Sequence, residues 1–414
     1  MTALGYTLKV VMNVAMKKTS RRFAALLILL TAGFSCLAEN GPKQRKQYLL
    51  YVGTYTVGER QQATGSKGIY AFRIGENANA LDKLEITALG AEAETPNPSF
   101  LAADPSGHYL YAVNELTEYK GATSGAITAY ALDRKTGKLT YLNETGSRGA
   151  DPCYISFDKT GRYALVANYT GGSVAVFPVS SDGRIGESSV FVQHIGKGAR
   201  PDRQEGPHAH WIETARDNRI AVAADLGLDE LLVYRFDATK GSLTANDPAF
   251  AKLTPGTGPR HVAFAPNNKF AYVVDELNST VTTFTYDAGR GVLKQIQTIS
   301  TLPAGFSGAN DTAEIHVHPN GKFLFASNRG HDSIVVFGID QYNGKLALVD
   351  HFATTGKTPR NFEIDPSGRF LFAANEASDN IAIFRIDEAT GRLATTGQIL
   401  TVPAPVSLRF VAAD

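Results

Sequence analysis

The chain has 414 residues, with 41 Lys+Arg against 40 Asp+Glu, and its 39 Gly and 18 Pro sit near the average for globular proteins, which excludes low-complexity and collagen-like chains. Every charge in the first 38 residues is basic, so the rest of the chain sets 36 basic groups against 40 acidic ones and offers neither nucleic acid nor an anionic membrane a matching surface. With 43% hydrophobic and 10% aromatic residues, a large buried core is expected and a disordered body is excluded.

The first element is a targeting segment. Lys17, Lys18, Arg21 and Arg22 precede the apolar run from Phe23 to Leu30, and small residues follow up to Ala38. The run is shorter than the roughly 20 apolar residues a spanning helix needs, so it reads as a signal peptide over 1–38, cleaved after Ala38. Met16 directly before Lys17 marks residues 1–15 as an extension from a misplaced start. Lipidation at Cys36 is the rival to cleavage, but Gly33-Phe34-Ser35 is a poor lipobox, and an exported protein, periplasmic or secreted, is expected. A linker over 39–46 leads into the body. Loss or lipidation of Cys36 leaves Cys153 alone, so the mature fold contains no internal disulfide, and Cys153 reads as a small buried hydrophobe.

Beyond residue 47 one pattern recurs. A first strand begins near a Pro or His, a turn such as Asp-Pro-Ser-Gly follows, then an apolar strand ending in a polar pair, a third β-rich strand, and a weaker fourth. First segments begin at Asn97, Asp151, Gly206, Gly258, Thr312 and Thr358. Internal repeats of this length decide architecture before any motif does. Six units are complete. The seventh is split: Tyr48–Gly53 and Gly68–Arg73 supply its second and third strands, and Pro405–Val411 supplies the first from the other end of the chain. The fold expected is all-β, a single seven-bladed β-propeller over 47–414, closed by pairing of the N- and C-terminal strands. Trp211 is the only tryptophan, so the repeat is not of the Trp-Asp kind.

In such a blade the start of the first strand and the end of the second meet at one face near the axis. The residues placed there are Tyr55, Asn97, Glu115, Asn168, Tyr169, His208, His210, Asp225, Arg260, His261, Asp275, Glu276, His316, Asn328, Arg329, Arg360, Asn361 and Glu376. A repeat needs only small or turn-forming residues at these positions. The His, Arg and Glu gathered in the fourth to seventh blades instead describe a polar pocket fit for acid/base work.

Gly258-Pro-Arg-His261, Asp275-Glu-Leu-Asn278, Asn328-Arg329 and Thr358-Pro-Arg360 with Ile364-Asp-Pro-Ser-Gly368 resemble the propeller-type 6-phosphogluconolactonase family, related to the carboxy-muconate cyclases. The resemblance covers the chain after residue 47. It implies hydrolysis of a sugar-acid lactone, a small-molecule substrate, no cofactor and no essential metal. The site residues it implies fall on His208, Arg260, Glu276 and Arg329. The basic loop Gly198–Gly206, with Arg200 and Arg203, has no counterpart in it.

Lactone hydrolysis needs a base for water, donors where oxyanion charge develops, and an acid for the leaving alkoxide. Glu276 is the expected base, or His208 if neutral, and Arg260 and Arg329 supply fixed positive charge. His210, His261, His316 and Arg360 are the expected substrate-binding residues. The pairs His208-Ala-His210 and His316-Val-His318 invite a metal reading, since residues i and i+2 of a strand share a face, but acidic or Cys partners at close spacing are not evident, and no metal site is expected. Nucleophile-elbow, phosphate-loop and dinucleotide motifs do not occur. Two other readings use the same residues: a cycloisomerase closing a muconate-type dicarboxylate, and a non-catalytic propeller that binds carbohydrate or protein.

Overall fold

The computed structural model describes residues 46–57, 64–77 and 82–414. The expected leader, its expected cleavage point and Cys36 lie outside the described residues. No helix among those described is long and apolar enough to cross a membrane.

The second strand of each repeat is the most buried, with β-branched and aromatic side chains packed on both faces. Phe370–Asn375 is buried at every residue, as is Ile220–Asp225. Such strands cannot be sheet edges, and the described strands form seven sheets of four antiparallel strands each. Numbered from the N-terminus, blade 1 is the split one. Pro405–Ala412 pairs with Gln47–Thr54, which pairs with Gly68–Glu76, then Leu84–Glu94. The inner strands of blades 2 to 7 are Pro98–Ala103, Pro152–Phe157, Ala209–Thr214, Pro259–Phe264, Asp311–Val317 and Pro359–Ile364. Each inner strand contacts the next around the ring, and Pro405–Ala412 contacts both Pro98–Ala103 and Pro359–Ile364.

The core lies between blades. Phe370 and Phe372 of blade 7 pack on Leu50, Val52 and Leu408 of blade 1, and fully buried Trp211 packs within the interface shared by blades 3, 4 and 5. Removing a buried aromatic of this kind typically costs about 3–5 kcal/mol. The interfaces also carry directed bonds. The hydroxyls of Tyr51, Tyr111 and Tyr272, each on a second strand, donate to the Gly137, Gly183 and Gly344 carbonyls of the following blade at 2.7, 2.7 and 3.0 Å. The Asp-Pro-Ser-Gly turns are self-capped: Asp365 accepts from the Ser367 and Phe370 amides at 3.1 and 2.7 Å, and Gly368 takes φ +77°, which favours glycine.

One irregularity recurs in every blade and shapes the axis. Near the start of each inner strand the register slips against its partner, leaving extra residues outside the ladder. The extra residue is Val406, Ser99, Cys153, His210, Arg260 or Arg360 in six blades, and the pair Ala313–Glu314 opposes Ser327 in blade 6. A bulge re-aims the side chain it frees. Here Val406, Ser99, Cys153, His210, Arg260, Glu314 and Arg360 all line one constriction of the central channel.

Candidate active site

Above the constriction, where the inner strands begin, the channel widens into a cavity of about 290 Å³. Its walls are Glu115, Cys153, Tyr169, Arg203, His210, Glu276, Asp311, Arg329 and Arg360. A larger cavity, about 550 Å³, opens where the inner strands end and is lined by Glu213, Glu314, His316, Glu363 and Arg409 among others. The smaller cavity is the stronger candidate for acyl chemistry, because guanidinium groups and carboxylates are paired on its walls in two separate clusters.

The first cluster is built on Glu276. Its Oε2 lies 2.8 Å from Arg260 Nε and 3.0 Å from Arg329 Nη2, and its Oε1 is 2.5 Å from Arg203 Nη2. Backbone carbonyls fix two of the guanidiniums: Arg260 Nη1 donates to Ala313 at 2.7 Å and Arg329 Nη2 to Thr312 at 3.0 Å. Burial works against charge on Glu276, but Arg329, Arg260 and Arg203 together outweigh it and hold the carboxyl down to about 2. The second cluster is built on Glu115. Arg360 Nη2 donates to the Tyr55 hydroxyl at 2.7 Å, and that hydroxyl donates to Glu115 Oε1 at 3.0 Å. Here burial dominates and pushes the Glu115 carboxyl up, against the pull of Arg360 and hydrogen bonds from Ser99 and Tyr55. The two carboxylates of one cavity are thus driven in opposite directions, the pattern by which acid/base roles are divided.

The expected site residues separate by depth. Glu276, Arg329, Arg360 and His210 share the cavity wall. Arg260 lies one layer deeper, in the constriction, with its side chain 4% exposed. His261 is in the same layer, where its Nδ1 sits 2.9 Å from Glu314 Oε1, and burial, set against the pull of Glu314, lowers its pKa. His208 does not line the cavity. It stacks behind Tyr169, ring centroids 4.6 Å apart, with Nε2 3.2 Å from Glu205. His316 lies at the other mouth, 3.8 Å from Glu314, because it stands two residues past Glu314 along the inner strand, level with Ala263 of blade 5 rather than with Arg260. The bulge also corrects the His-x-His expectation: His210 is the residue freed from the ladder while His208 precedes the strand, so the two do not share a face. Among the described residues no group of three or more His, Cys, Asp and Glu side chains is arranged to hold a metal ion.

Other ring positions serve the scaffold. The Asn168 and Asn328 amides donate to the Ser147 and Thr301 carbonyls at 3.1 and 3.0 Å, and Asp225 is 2.6 Å from buried His194 while accepting the His208 amide at 2.8 Å. Two contributors were not expected. Glu314 occupies the blade 6 position that His261 holds in blade 5, a correspondence the aligned repeats contain. Arg203 comes from the loop without a repeat counterpart, and an Arg-bearing excess of length was its only signal.

His210 sits edge-on to Tyr169 at 5.5 Å between ring centroids, with Nδ1 3.6 Å from Cys153 Sγ. Burial, then Arg260 and the other nearby cations, lowers its pKa well below the ordinary imidazole range and keeps it neutral. Burial likewise raises the Cys153 thiol well above its usual range, so it is not a thiolate nucleophile.

Comparison with known proteins places this cavity in context. The family described as Lactonase, 7-bladed beta-propeller matches residues 49–410. The chain is 38% identical over 316 residues to the 6-phosphogluconolactonase of Bacillus subtilis (strain 168), covering 76% of this chain and 84% of that one. It is 36% identical over 321 residues to the 6-phosphogluconolactonase of Formosa agariphila, covering 76% and 86%. Among solved structures, the periplasmic gluconolactonase of Pseudomonas aeruginosa superposes with a TM-score of 0.81 at 36% identity, over 89% of this chain and all of that one.

Proposed function

The chain belongs to the seven-bladed β-propeller lactonase family, a lactone-hydrolysing carboxylic ester hydrolase, and we propose that it opens a sugar-acid lactone of the 6-phosphogluconolactone or gluconolactone kind in the cavity bounded by Glu115 and Glu276. The observation that supports this reading is the opposed tuning of those two carboxylates on one wall lined with guanidinium groups.

Glu276 is a poor base, contrary to the expectation from sequence, because both of its oxygens are committed to guanidinium groups. It acts as a fixed anion that presets Arg329. Glu115 is the proton-transfer group. In its ionised form it takes a proton from water as the water oxygen bonds to the lactone carbonyl carbon. Arg329 and Arg360 supply charge-assisted donors to the oxyanion that forms. The tetrahedral intermediate collapses by breaking the bond to the ring oxygen, and Glu115 returns the proton to that leaving alkoxide. Water and lactone are consumed, and one hydroxy acid is produced. Neutral His210 offers a hydrogen bond to a substrate hydroxyl.

Export, supported by the basic and apolar pattern of residues 17–38 and by the periplasmic relative, is part of this proposal, as is cleavage after Ala38. The test is a panel of aldonolactones followed by pH-stat, with muconate-type dicarboxylates followed in parallel by ultraviolet absorbance. Turnover of an aldonolactone that Glu115→Gln abolishes supports the reading; turnover confined to the dicarboxylates overturns it in favour of a cycloisomerase.

A further inference from the structure

Of the four guanidinium groups around the cavity, three come from blade strands. Arg260 and Arg360 are bulge residues and Arg329 ends a second strand. Arg203 alone comes from a loop, and that loop is a rigid mount. The Gln204 side chain is fully buried, donates to the Leu226 carbonyl and to Asp229 at 2.8 Å each, and accepts the Arg200 amide at 2.9 Å. The Gly198 amide closes the loop onto the Gln204 carbonyl at 3.0 Å. Next to this anchor the Arg203 side chain leans over the cavity mouth and is 33% exposed, against 12% for Arg329.

Its hydrogen bonding is lopsided. Nη2 takes Glu276 at 2.5 Å and the Tyr169 hydroxyl at 3.4 Å. Nη1 and Nε make no hydrogen bond among the described residues, and Asp311 Oδ1 lies 3.9 Å from Nη1, on a side chain 47% exposed. Both bidentate edges of a guanidinium include Nη2, which Arg203 has committed to Glu276, so the donors it has left are the Nη1 hydrogens and the Nε hydrogen, each able to take one oxygen of a carboxylate or phosphate. Asp311 beside it is too distant for a direct bond, yet close enough to repel a second anion.

Building on the lactonase reading, we propose that Arg203 and Asp311 form a charge selector at the cavity mouth. Arg203 Nη1, through its unused hydrogens, binds a second anionic group on the sugar acid, a terminal carboxylate or phosphate distant from the reacting carbonyl, and Asp311 opposes it. Nη2 stays on Glu276 throughout, so selection leaves the catalytic clusters in place.

The test is calorimetric binding of three sugar acids to the full chain: gluconate, which has one anionic end, glucarate, which adds a carboxylate, and 6-phosphogluconate, which adds a phosphate. At least one of the two dianions binds the unsubstituted protein about tenfold or more tightly than gluconate, and which one does so identifies the group taken. Arg203→Gln brings the three together, Arg203→Lys retains part of the preference, and Asp311→Asn widens it. Equal or undetectable binding of the dianions relative to gluconate overturns the proposal. So does an Arg203→Gln variant that weakens all three by one factor, which marks Arg203 as a clamp on Glu276 only, or an Asp311→Asn variant that narrows the preference. Thermal unfolding of each variant verifies that it is folded, and pH-stat turnover of neutral gluconolactone reports separately on the lactonase reading.

Discussion

Arg260 Nε stands 2.8 Å from Glu276 Oε2, and both groups are withdrawn from solvent, with side chains 4% and 6% exposed. The guanidinium therefore meets its counter-ion before any substrate arrives. Positive charge in the cavity is held in position by a carboxylate that has little basicity left to give, and the proton must move elsewhere.

In the proposed mechanism Glu115 carries the catalytic proton. Glu115→Gln should lower kcat by roughly 10²-fold or more with little change in KM. Burial raises the Glu115 carboxyl above its ordinary range, and the ionised form is the active one, so kcat/KM falls as the pH drops through that raised value. Steady-state pH profiles check the assignment; an acid limb that survives unchanged in residual Glu115→Gln activity assigns the base to another residue.

Glu276→Gln should act on stability first. Three guanidinium groups lose their counter-charge, the buried Arg260 among them, and losing one partner of a buried pair typically costs roughly 3–5 kcal/mol. The pH dependence has a definite sign. The carboxyl is lowered from 4.5 to about 2, so its contribution is complete above pH 4.5 and is lost as the pH falls through about 2. Acid unfolding monitored by circular dichroism should be steeper in the parent than in the variant over that window.

Asp275 makes the opposite case. It is fully buried, its Oδ2 accepts from the Thr280 and Thr282 hydroxyls at 2.7 Å, its Oδ1 has no partner among the described residues, and burial raises the carboxyl from 3.8 to about 7. The folded state holds this proton more tightly than the unfolded state does, so stability falls as pH rises from about 4 to 7, by up to about 1.4 kcal/mol per unit. Blades 2, 3, 6 and 7 carry Asn114, Asn168, Asn328 and Asn375 at the same position. Asp275→Asn should remove the slope and raise the melting temperature at pH 8; differential scanning fluorimetry from pH 5 to 8 reads it directly, and parallel curves for the two proteins count against it.

Deleting Pro405–Asp414 should unfold the ring rather than trim a tail. The segment supplies the inner strand of blade 1 and buries Val406, Leu408 and Val411. Without it Gln47–Thr54 becomes an unpaired edge facing two neighbouring blades. A truncated chain with an unchanged melting temperature contradicts this.

The fold was legible because the repeat declares itself: the polar end of each second strand and the turn after each first strand recur, and the missing first strand of the opening unit is present in Pro405–Val411. The pocket was legible in outline for the same reason, since Glu115, Glu276 and Arg329 stand at the ends of equivalent second strands and Arg360 begins an inner strand at the same face. What periodicity could not supply was depth. Once the turns Ala265-Pro-Asn-Asn and His318-Pro-Asn-Gly are aligned, His316 stands level with Ala263 rather than Arg260, and it lies at the opposite mouth; a bulge adds a residue without changing the sequence pattern, so the two histidines of His208-Ala-His210 looked coplanar and are not. Arg203 was illegible for another reason: a loop outside the repeat has no equivalent position from which its direction can be read.

The recurring bulge has a consequence for how such a protein can change. A side chain in a regular strand is tied to its cross-strand neighbour, and altering it disturbs packing on both sides. The residue freed at each bulge answers to no ladder partner, so Ser99, Cys153, His210 and Arg360 behave as sockets around an axle, each open to exchange without moving the register of its sheet, while Arg260 and Val406 are held by the Glu276 pair and by the core. A library confined to those sockets should yield mostly folded proteins with altered reactivity, whereas one of equal size drawn from the second strands should yield mostly unfolded ones. Innovation in chemistry and preservation of architecture are thereby assigned to different residues of the same strands.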